Sequence, residues 1–438
     1  MPENRTAARS LAILLAINVL NFYDRQALGT LGEPIRHEFH LSDAQLGALT
    51  TTFTVLYAIV GLPLGRLADT WSRRKLLGAG VGVWSALTGL SGLAASYGML
   101  MFSRLGVAVG EAVCAPAATS WLGDLFPPGK RARALGIFML GLPIGSALSN
   151  IVSGPFGQAF GWRKALMLAA LPAIVLIPVL LRMNEPERGA SENNAGSPTT
   201  SRTSSKMRAM SILRIPTLWW IIASGALINF NLYTLATFMP AFLIRWHGFS
   251  LARAGLCTGI GWGIAGIVGA LTSGHLGDRM VGKRNARMLL ASLAALLAAP
   301  TALFGILEPA GTGILALLLL SVSYGFLNMY YGLVYSSIQD IVPPSLRGTT
   351  MAVYFMAMYL CGASFGPLIT GKLSDMMARR AAGAGVLTEA AKAIGLQQAM
   401  CIMPVLSVAL AIVLYAGSRT IVRDMERRDR DFETTMTA

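Results

Sequence analysis

The chain has 438 residues, 54% of them hydrophobic and only 13% charged, with a mean hydropathy of +0.57. Soluble domains carry about 25% charged residues, so composition excludes an ordinary soluble protein and points to a polytopic membrane protein. A net charge of +15 would indicate nucleic acid only if the basic residues formed a solvated patch, and their placement along the chain argues otherwise.

Apolar runs of about 20 residues are each long enough to cross a ~30 Å hydrocarbon layer as a helix. Twelve such spans are predicted, over 11–31, 44–65, 76–96, 98–122, 134–158, 165–181, 216–244, 254–276, 288–307, 312–339, 348–370 and 396–417. With the N-terminus taken as cytoplasmic, 25 Lys and Arg fall on that side, nine fall on the other, and Arg25 and Arg104 fall within spans. This asymmetry is the positive-inside rule; it predicts a multi-pass protein of the cell (inner) membrane with both termini cytoplasmic, and no nucleic-acid partner. Arg5 and Arg9 before "LAILLAINVL" resemble the start of a secretory signal, but no small-residue cleavage site follows, so a retained first helix is expected.

The first span carries "NFYDRQALG", with Asp24 and Arg25. Charges at the bilayer centre cost about 2.5 to 3.5 kcal/mol each on insertion scales, so they must face protein or water. At 100° per residue Asn18, Asn21, Asp24 and Arg25 share an arc of about 120°, a polar stripe turned away from lipid. Arg104 and Glu111 in the fourth span are seven residues apart, which places them on one face about 10 Å apart along the axis. Counting rise from the span ends puts Asp24, Arg25 and Arg104 at similar depth, with Glu111 nearer the cytoplasm, so an Asp24–Arg104 pair is sterically allowed. Two readings fit these charges: proton exchange at Asp24 and Glu111 tuned by Arg104 and Arg25, or a static ion-pair lock that sets helix packing.

Between the second and third spans lies "GRLADTWSRRK", Gly65 to Lys75. Gly65 permits a close helix approach, Asp69 can cap or pair, and Arg73 and Arg74 can meet helix ends and acidic partners; the alternative is topogenic charge alone. "GIFMLGLPIGSALSNIVSG", Gly136 to Gly154, combines Pro143 with small residues where backbones can cross closely. The polar stretch 184–209 cannot bury enough to fold alone. It predicts an N-terminal six-helix bundle over 1–182, a cytoplasmic linker over 183–215, a C-terminal bundle over 216–418 and a tail over 419–438, the tail read as solvated charge. "GRLAD" returns as "GHLGD", Gly274 to Asp278, and "DLFPPGKR" returns as "DIVPPSLR" in the same order, the mark of a duplicated unit. Asp278 and Arg279 then join the expected gating set.

The second half has no matching intramembrane charge. Its polar residues are Asn229 and Tyr233 in the seventh span and Asn328, Tyr330 and Tyr335 in the tenth, which with Asn21 make a candidate substrate cavity; interhelical hydrogen bonding is the competing reading. Cys114, Cys257, Cys361 and Cys401 lie singly in spans, and His37, His40, His247 and His275 form no cluster, so no metal site and no cofactor is expected. No nucleophile–base pair or phosphate-binding loop appears, and an enzyme is not expected.

Twelve spans in two related halves resemble the major facilitator superfamily, whose fold is an all-α membrane protein of two pseudo-symmetric six-helix bundles. "GRLADTWSRRK" is similar to that superfamily's loop motif, and "GIFMLGLPIGS" loosely resembles a motif of its exporters, with Leu142-Pro143 where Gly-Pro is expected. "NFYDRQALG", "LSDAQLGALTTTF", "SRLGVAVGEAVCAPA", "DLFPPGKRARALGIF", "GWRKAL" and "EPERG" together resemble the spinster family of lipid-linked transporters. The resemblance implies export of a sphingolipid- or lysophospholipid-like amphiphile; together with the buried charges, the expectation is a monomeric secondary transporter working by alternating access, with the proton as coupling ion and membrane lipids as surroundings. The alternatives are an organic-anion/proton symporter, in which an arginine binds the substrate, and a lipid-binding membrane sensor without transport.

Overall fold

Polar residues at the ends of the apolar runs start the helices. In the computed structural model Ser42 opens one with a capping box, its Oγ accepting from Gln45 N while Gln45 Oε1 accepts from Ser42 N. Ser72, Ser96 and Thr388 accept in the same way from the backbone three residues on. The structure describes residues 2–188, 212–280, 284–342 and 346–437; most of the expected linker lies outside them.

The first half comprises α1 (Pro2–Thr30), α2 (Gly32–Phe39), α3 (Asp43–Thr70), α4 (Arg73–Ser91), α5 (Tyr97–Glu111), α6 (Cys114–Leu125), α7 (Pro128–Met139), α8 (Gly141–Phe160), α9 (Trp162–Ala170) and α10 (Pro172–Leu181). The second comprises α11 (Pro216–Arg245), α12 (Leu251–Arg279), α13 (Ala286–Leu307), α14 (Gly313–Ile341), α15 (Arg347–Met358), a π turn (Tyr359–Ala363), α16 (Phe365–Ala382), α17 (Glu389–Met400) and α18 (Ile402–Thr437). Eleven helical stretches among the described residues are long and apolar enough to cross a membrane. α4, in the place of the expected third span, has 19 residues and buries Arg73 and much of its Gly, Ser and Thr content. Phe102, Ile174 and Leu271 are 77%, 67% and 69% exposed, and side chains this apolar face outward because their solvent is lipid.

Backbone proximity divides the chain into two compact units. One is Met1–Thr199 with Ala236–Ile244 and Phe249–Gly263, the other Thr200–Leu235 with Arg245–Gly248 and Ile264–Ala438. The first is built around Trp84, Trp121, Phe138 and Leu14, the second around Tyr330, Tyr354, Leu333 and Leu414.

The duplicated motifs fold alike. Arg73 at the start of α4 pairs with Asp124 in the first unit, and Arg287 at the start of α13 pairs with Asp340 at 2.7 Å in the second. The tail departs from expectation. α18 continues without a break past the apolar run; Ile421 is buried, Asp424 Oδ2 accepts from Thr217 N at 2.9 Å, and Arg428 donates to the Asp340 carbonyl. The charged positions up to Arg428 therefore include one face packed on the second unit, because apolar side chains spaced by one or two turns (Leu414, Ile421, Met425) keep the helix amphipathic.

Candidate functional site

The polar stripe of α1 is fixed from two sides by small residues. Against α8, a Cβ on Gly145 would lie 2.3 Å from the Val19 carbonyl oxygen, and one on Gly141 would lie 2.5 Å from Asn18 Nδ2. The glycines of "LGLPIGS" thus let the two backbones touch, and Asn18 donates to the Phe138 carbonyl at 2.8 Å. α4 and α5 run antiparallel in a similarly close register. A Cβ on Gly110 would meet Trp84 N at 2.8 Å, one on Gly106 would meet Leu87 Cδ1 at 2.4 Å, and Ser91 and Ser103 share a hydrogen bond of 2.8 Å. That register sets Thr88 at the level of Arg104, and both meet Asp24.

Asp24, Arg104 and Glu111 are all buried. Arg25 Nε donates to Glu111 Oε2 at 2.7 Å, an ion pair between α1 and α5. The Arg25 guanidinium is also walled by rings, with centroids of Tyr57, Phe22 and Phe53 at 4.1, 5.1 and 5.5 Å, a cation–π cradle that replaces part of the lost hydration. Phe53 lies 5.6 Å from the Arg104 guanidinium as well.

The expected Asp24–Arg104 carboxylate pair is not formed. Arg104 Nη2 donates instead to the Asp24 backbone carbonyl at 3.3 Å, and the Asp24 carboxylate receives one hydrogen bond, from Thr88 Oγ1 at 3.3 Å. Asp24 Oδ1, Glu111 Oε1, Asn21 Nδ2, and Arg104 Nε and Nη1 are buried without a hydrogen-bonding partner among the described residues. Arg104 and Glu111 share α5, as their spacing predicts, but that helix stops immediately after Glu111. Pro116 has no N–H for the Ala112 carbonyl and its ring crowds it, so the helix ends at Glu111 and restarts at Cys114, leaving Glu111 at a break opposite Arg25.

Of the expected cavity residues, Asn21 is buried in the first unit beside these charges. In the second unit Tyr330 hydrogen-bonds Ser224 at 2.8 Å and Tyr354 at 3.0 Å. Asn229 donates to the Gly225 carbonyl and accepts from Tyr331, so both are spent on packing. Asn328 turns back to the Tyr324 carbonyl. Tyr335 packs edge-on against Tyr331, Tyr354 and Phe355, and Tyr233 meets Tyr359 of the π turn at 6.3 Å. π turns are recurrent at functional sites.

The expected gating residues divide. The side chains of Asp69 and Asp278 lie outside the described residues. A Cβ on Gly65 would meet only Pro116 Cβ, at 3.9 Å, so no close approach requires glycine there. Arg279 ends α12 as an exposed side chain. Arg73 is fully buried and bonds Asp124, the Pro186 carbonyl and Glu185 Oε1 at 3.1 Å, while Arg74 donates to the Met183 carbonyl. Glu185, unrecognised in the sequence apart from "EPERG", accepts from Ser72 Oγ, Arg73 N, Arg73 Nε and Arg74 N. Burial alone would push its carboxyl up; these hydrogen bonds outweigh it and hold the group down to about 2. Thr88 and the ring cradle of Arg25 gave no signal in the sequence, because a lone threonine and scattered aromatics are ordinary in an apolar helix.

Two helical units with charges buried where lipid would forbid them, and lipid-exposed flanks, define a polytopic membrane protein of the transporter class. The chain matches the family model of the Major Facilitator Superfamily over residues 14–367 and belongs to that superfamily. It is 31% identical over 378 residues to an MFS-type efflux pump of Mycolicibacterium smegmatis, covering 85% of this chain and 86% of that one. It is 27% identical to mouse protein spinster homolog 1, covering 84% of this chain and 73% of that one. Among solved structures, a bacterial homolog of the human lysosomal transporter spinster superposes with a TM-score of 0.84 at 28% identity, covering 96% of this chain and 98% of that one. The chain is therefore a spinster-like superfamily transporter.

Proposed function

We propose that this transporter is a proton-coupled exporter of amphipathic, lipid-like molecules, in which Asp24 exchanges the coupling proton and Glu111, Arg25 and Arg104 tune that exchange. The observation that carries the reading is the asymmetry of the two buried acids. Glu111 has its countercharge in Arg25 at 2.7 Å, while Asp24 is buried with no ion pair and one oxygen unpartnered among the described residues. A buried carboxylate without a countercharge is costly, and taking up a proton relieves that cost. Arginine stays charged at any relevant pH and cannot be the carrier.

The lipid-like substrate class rests on the likeness to the spinster proteins. The efflux-pump relative supports export across the cell membrane. A second reading, an organic-anion/proton symporter, draws on the unpartnered Nε and Nη1 of Arg104, two donors in the fork geometry that suits a carboxylate, and on 27% identity to a probable L-galactonate transporter of Escherichia coli.

Reconstituted protein tests both, with lysolipids, sphingoid bases and organic anions assayed with and without a pH gradient. Asp24→Asn is expected to abolish gradient-driven transport while leaving substrate counterflow. Full gradient-driven transport by Asp24→Asn would rule out the proposed carrier. An Arg104→Glu variant that still moves an organic anion removes the symporter reading.

A further inference from the structure

Many buried hydroxyls on the helices of this chain turn back on their own backbone. Thr54 donates to the Thr50 carbonyl, Ser91 to Leu87, Ser337 to Leu333 and Thr350 to Leu346, the usual way a threonine or serine is satisfied inside a helix. Thr88 bonds elsewhere. It is fully buried, and its hydroxyl hydrogen bond leaves its own helix to reach Asp24 Oδ2 at 3.3 Å.

We propose that Thr88 is a positioning residue for proton exchange, orienting the Asp24 carboxyl group and setting the pH at which it binds and releases its proton. The inference rests on the reading of Asp24 as the proton carrier. It goes beyond that reading by assigning the control to a neutral side chain on α4 rather than to the charged set alone. A hydroxyl suits the task because it donates to a carboxylate and accepts from a carboxylic acid, so it stays bonded through the exchange, whereas an arginine side chain can only donate.

Other groups also act on Asp24. From α5, Glu111 and Arg104 oppose one another across it. Tyr23 stands beside it on α1 and accepts from Ser153 of α8 at 3.1 Å. Arg25 is engaged by Glu111, and Cys114 of α6 lies near that pair. Arg104 directs Nη2 to the Asp24 backbone carbonyl. Among the described residues, the hydrogen bond that the carboxyl group itself receives comes from Thr88.

The test reads Asp24 directly and needs no substrate. The full chain, reconstituted in liposomes, is titrated by infrared difference spectroscopy, following the carbonyl stretch of the protonated carboxyl group; the band that Asp24→Asn removes belongs to Asp24. Thr88→Val keeps the side-chain shape and removes the hydroxyl. It is expected to shift the frequency of that band and move its titration midpoint to higher pH by about one unit, because the hydroxyl binds the charged carboxylate more strongly than the neutral acid. Thr88→Ser, which keeps the hydroxyl, is expected to restore both. If Thr88→Val is not recovered folded, Thr88→Ala carries the same test. An Asp24 band with unchanged frequency and midpoint in these variants overturns the role of Thr88 and leaves the carrier reading standing. A titration in which Asp24→Asn removes no band overturns the carrier reading itself, and the role of Thr88 with it.

Discussion

Glu111 pairs with Arg25 of α1 at 2.7 Å, not with Arg104, which precedes it by seven residues on its own segment. This pairing bridges two helices at the break after Glu111, and the rings of Phe22, Phe53 and Tyr57 enclose its cationic member. Removing one partner of a buried pair strands the other charge, at a cost of about 3 to 5 kcal/mol. Arg25→Met is therefore expected to lower the melting temperature in detergent strongly. Adding Glu111→Gln in the same chain is expected to recover most of that loss while gradient-driven transport stays absent. A double variant no more stable than Arg25→Met alone would contradict the pair's structural role.

The difference between expected and observed partners shows what the sequence carries. That Asp24, Arg25, Arg104 and Glu111 belong to one buried constellation is legible, because a charge in an apolar run has to find protein or water. Which charge meets which is not, since counting residues yields depth along an axis but not the rotation and close approach of neighbouring helices. Those depend on where glycines let backbones touch, as at Gly106, Gly110, Gly141 and Gly145. Pro116 did hold the clue to the break after Glu111. Thr88 held none, since a hydroxyl in a helix has a default partner one turn back, and only the assembled unit diverts it. The docking of the tail from Arg419 is hidden in the sequence because its charges outnumber its apolar residues, although a few well-spaced apolar positions suffice to dock a helix face.

Glu185 makes stability depend on pH in a defined direction. Its folded value of about 2 lies below its ordinary value of 4.5, so its contribution is fully present above pH 4.5 and is lost as pH falls toward 2. Glu185→Gln is expected to melt lower than the parent at neutral pH, with a gap that narrows below about pH 4.5. Melting curves of both proteins across that range check the sign. A gap that is constant from neutral to acid would mean that the carboxylate charge is not what holds Ser72, Arg73 and Arg74.

The α1–α8 crossing predicts a contrast between two glycines of the recognised motifs. Gly145→Ala places a methyl 2.3 Å from the Val19 carbonyl oxygen, backbone against which nothing flexible can give, and is expected to cost about 1 to 3 kcal/mol. Gly65→Ala, whose methyl meets only Pro116 Cβ at 3.9 Å, is expected to stay within about 0.5 kcal/mol of the parent. Paired thermal melts decide this, and equal losses in both variants would refute the assignment of the close approach to α8.

The start of the C-terminal tail docks on the N-terminus of α11. Asp424 Oδ2 accepts from Thr217 N at 2.9 Å, at the first turn of α11 where backbone N–H groups have no intrahelical partner. Thr217 and Thr420 share a second bond of 2.7 Å. An acidic side chain at a helix N-terminus gains from both the hydrogen bond and the helix dipole. Asp424→Ala is expected to lose about 1 to 2 kcal/mol, and Asp424→Asn, which retains an acceptor oxygen, is expected to lose less. Charge reversal at Arg423, exposed on the same helix, is expected to be silent. If Asp424→Ala melts with the parent while Arg423→Glu does not, the tail acts through its charge in solvent and not through this cap.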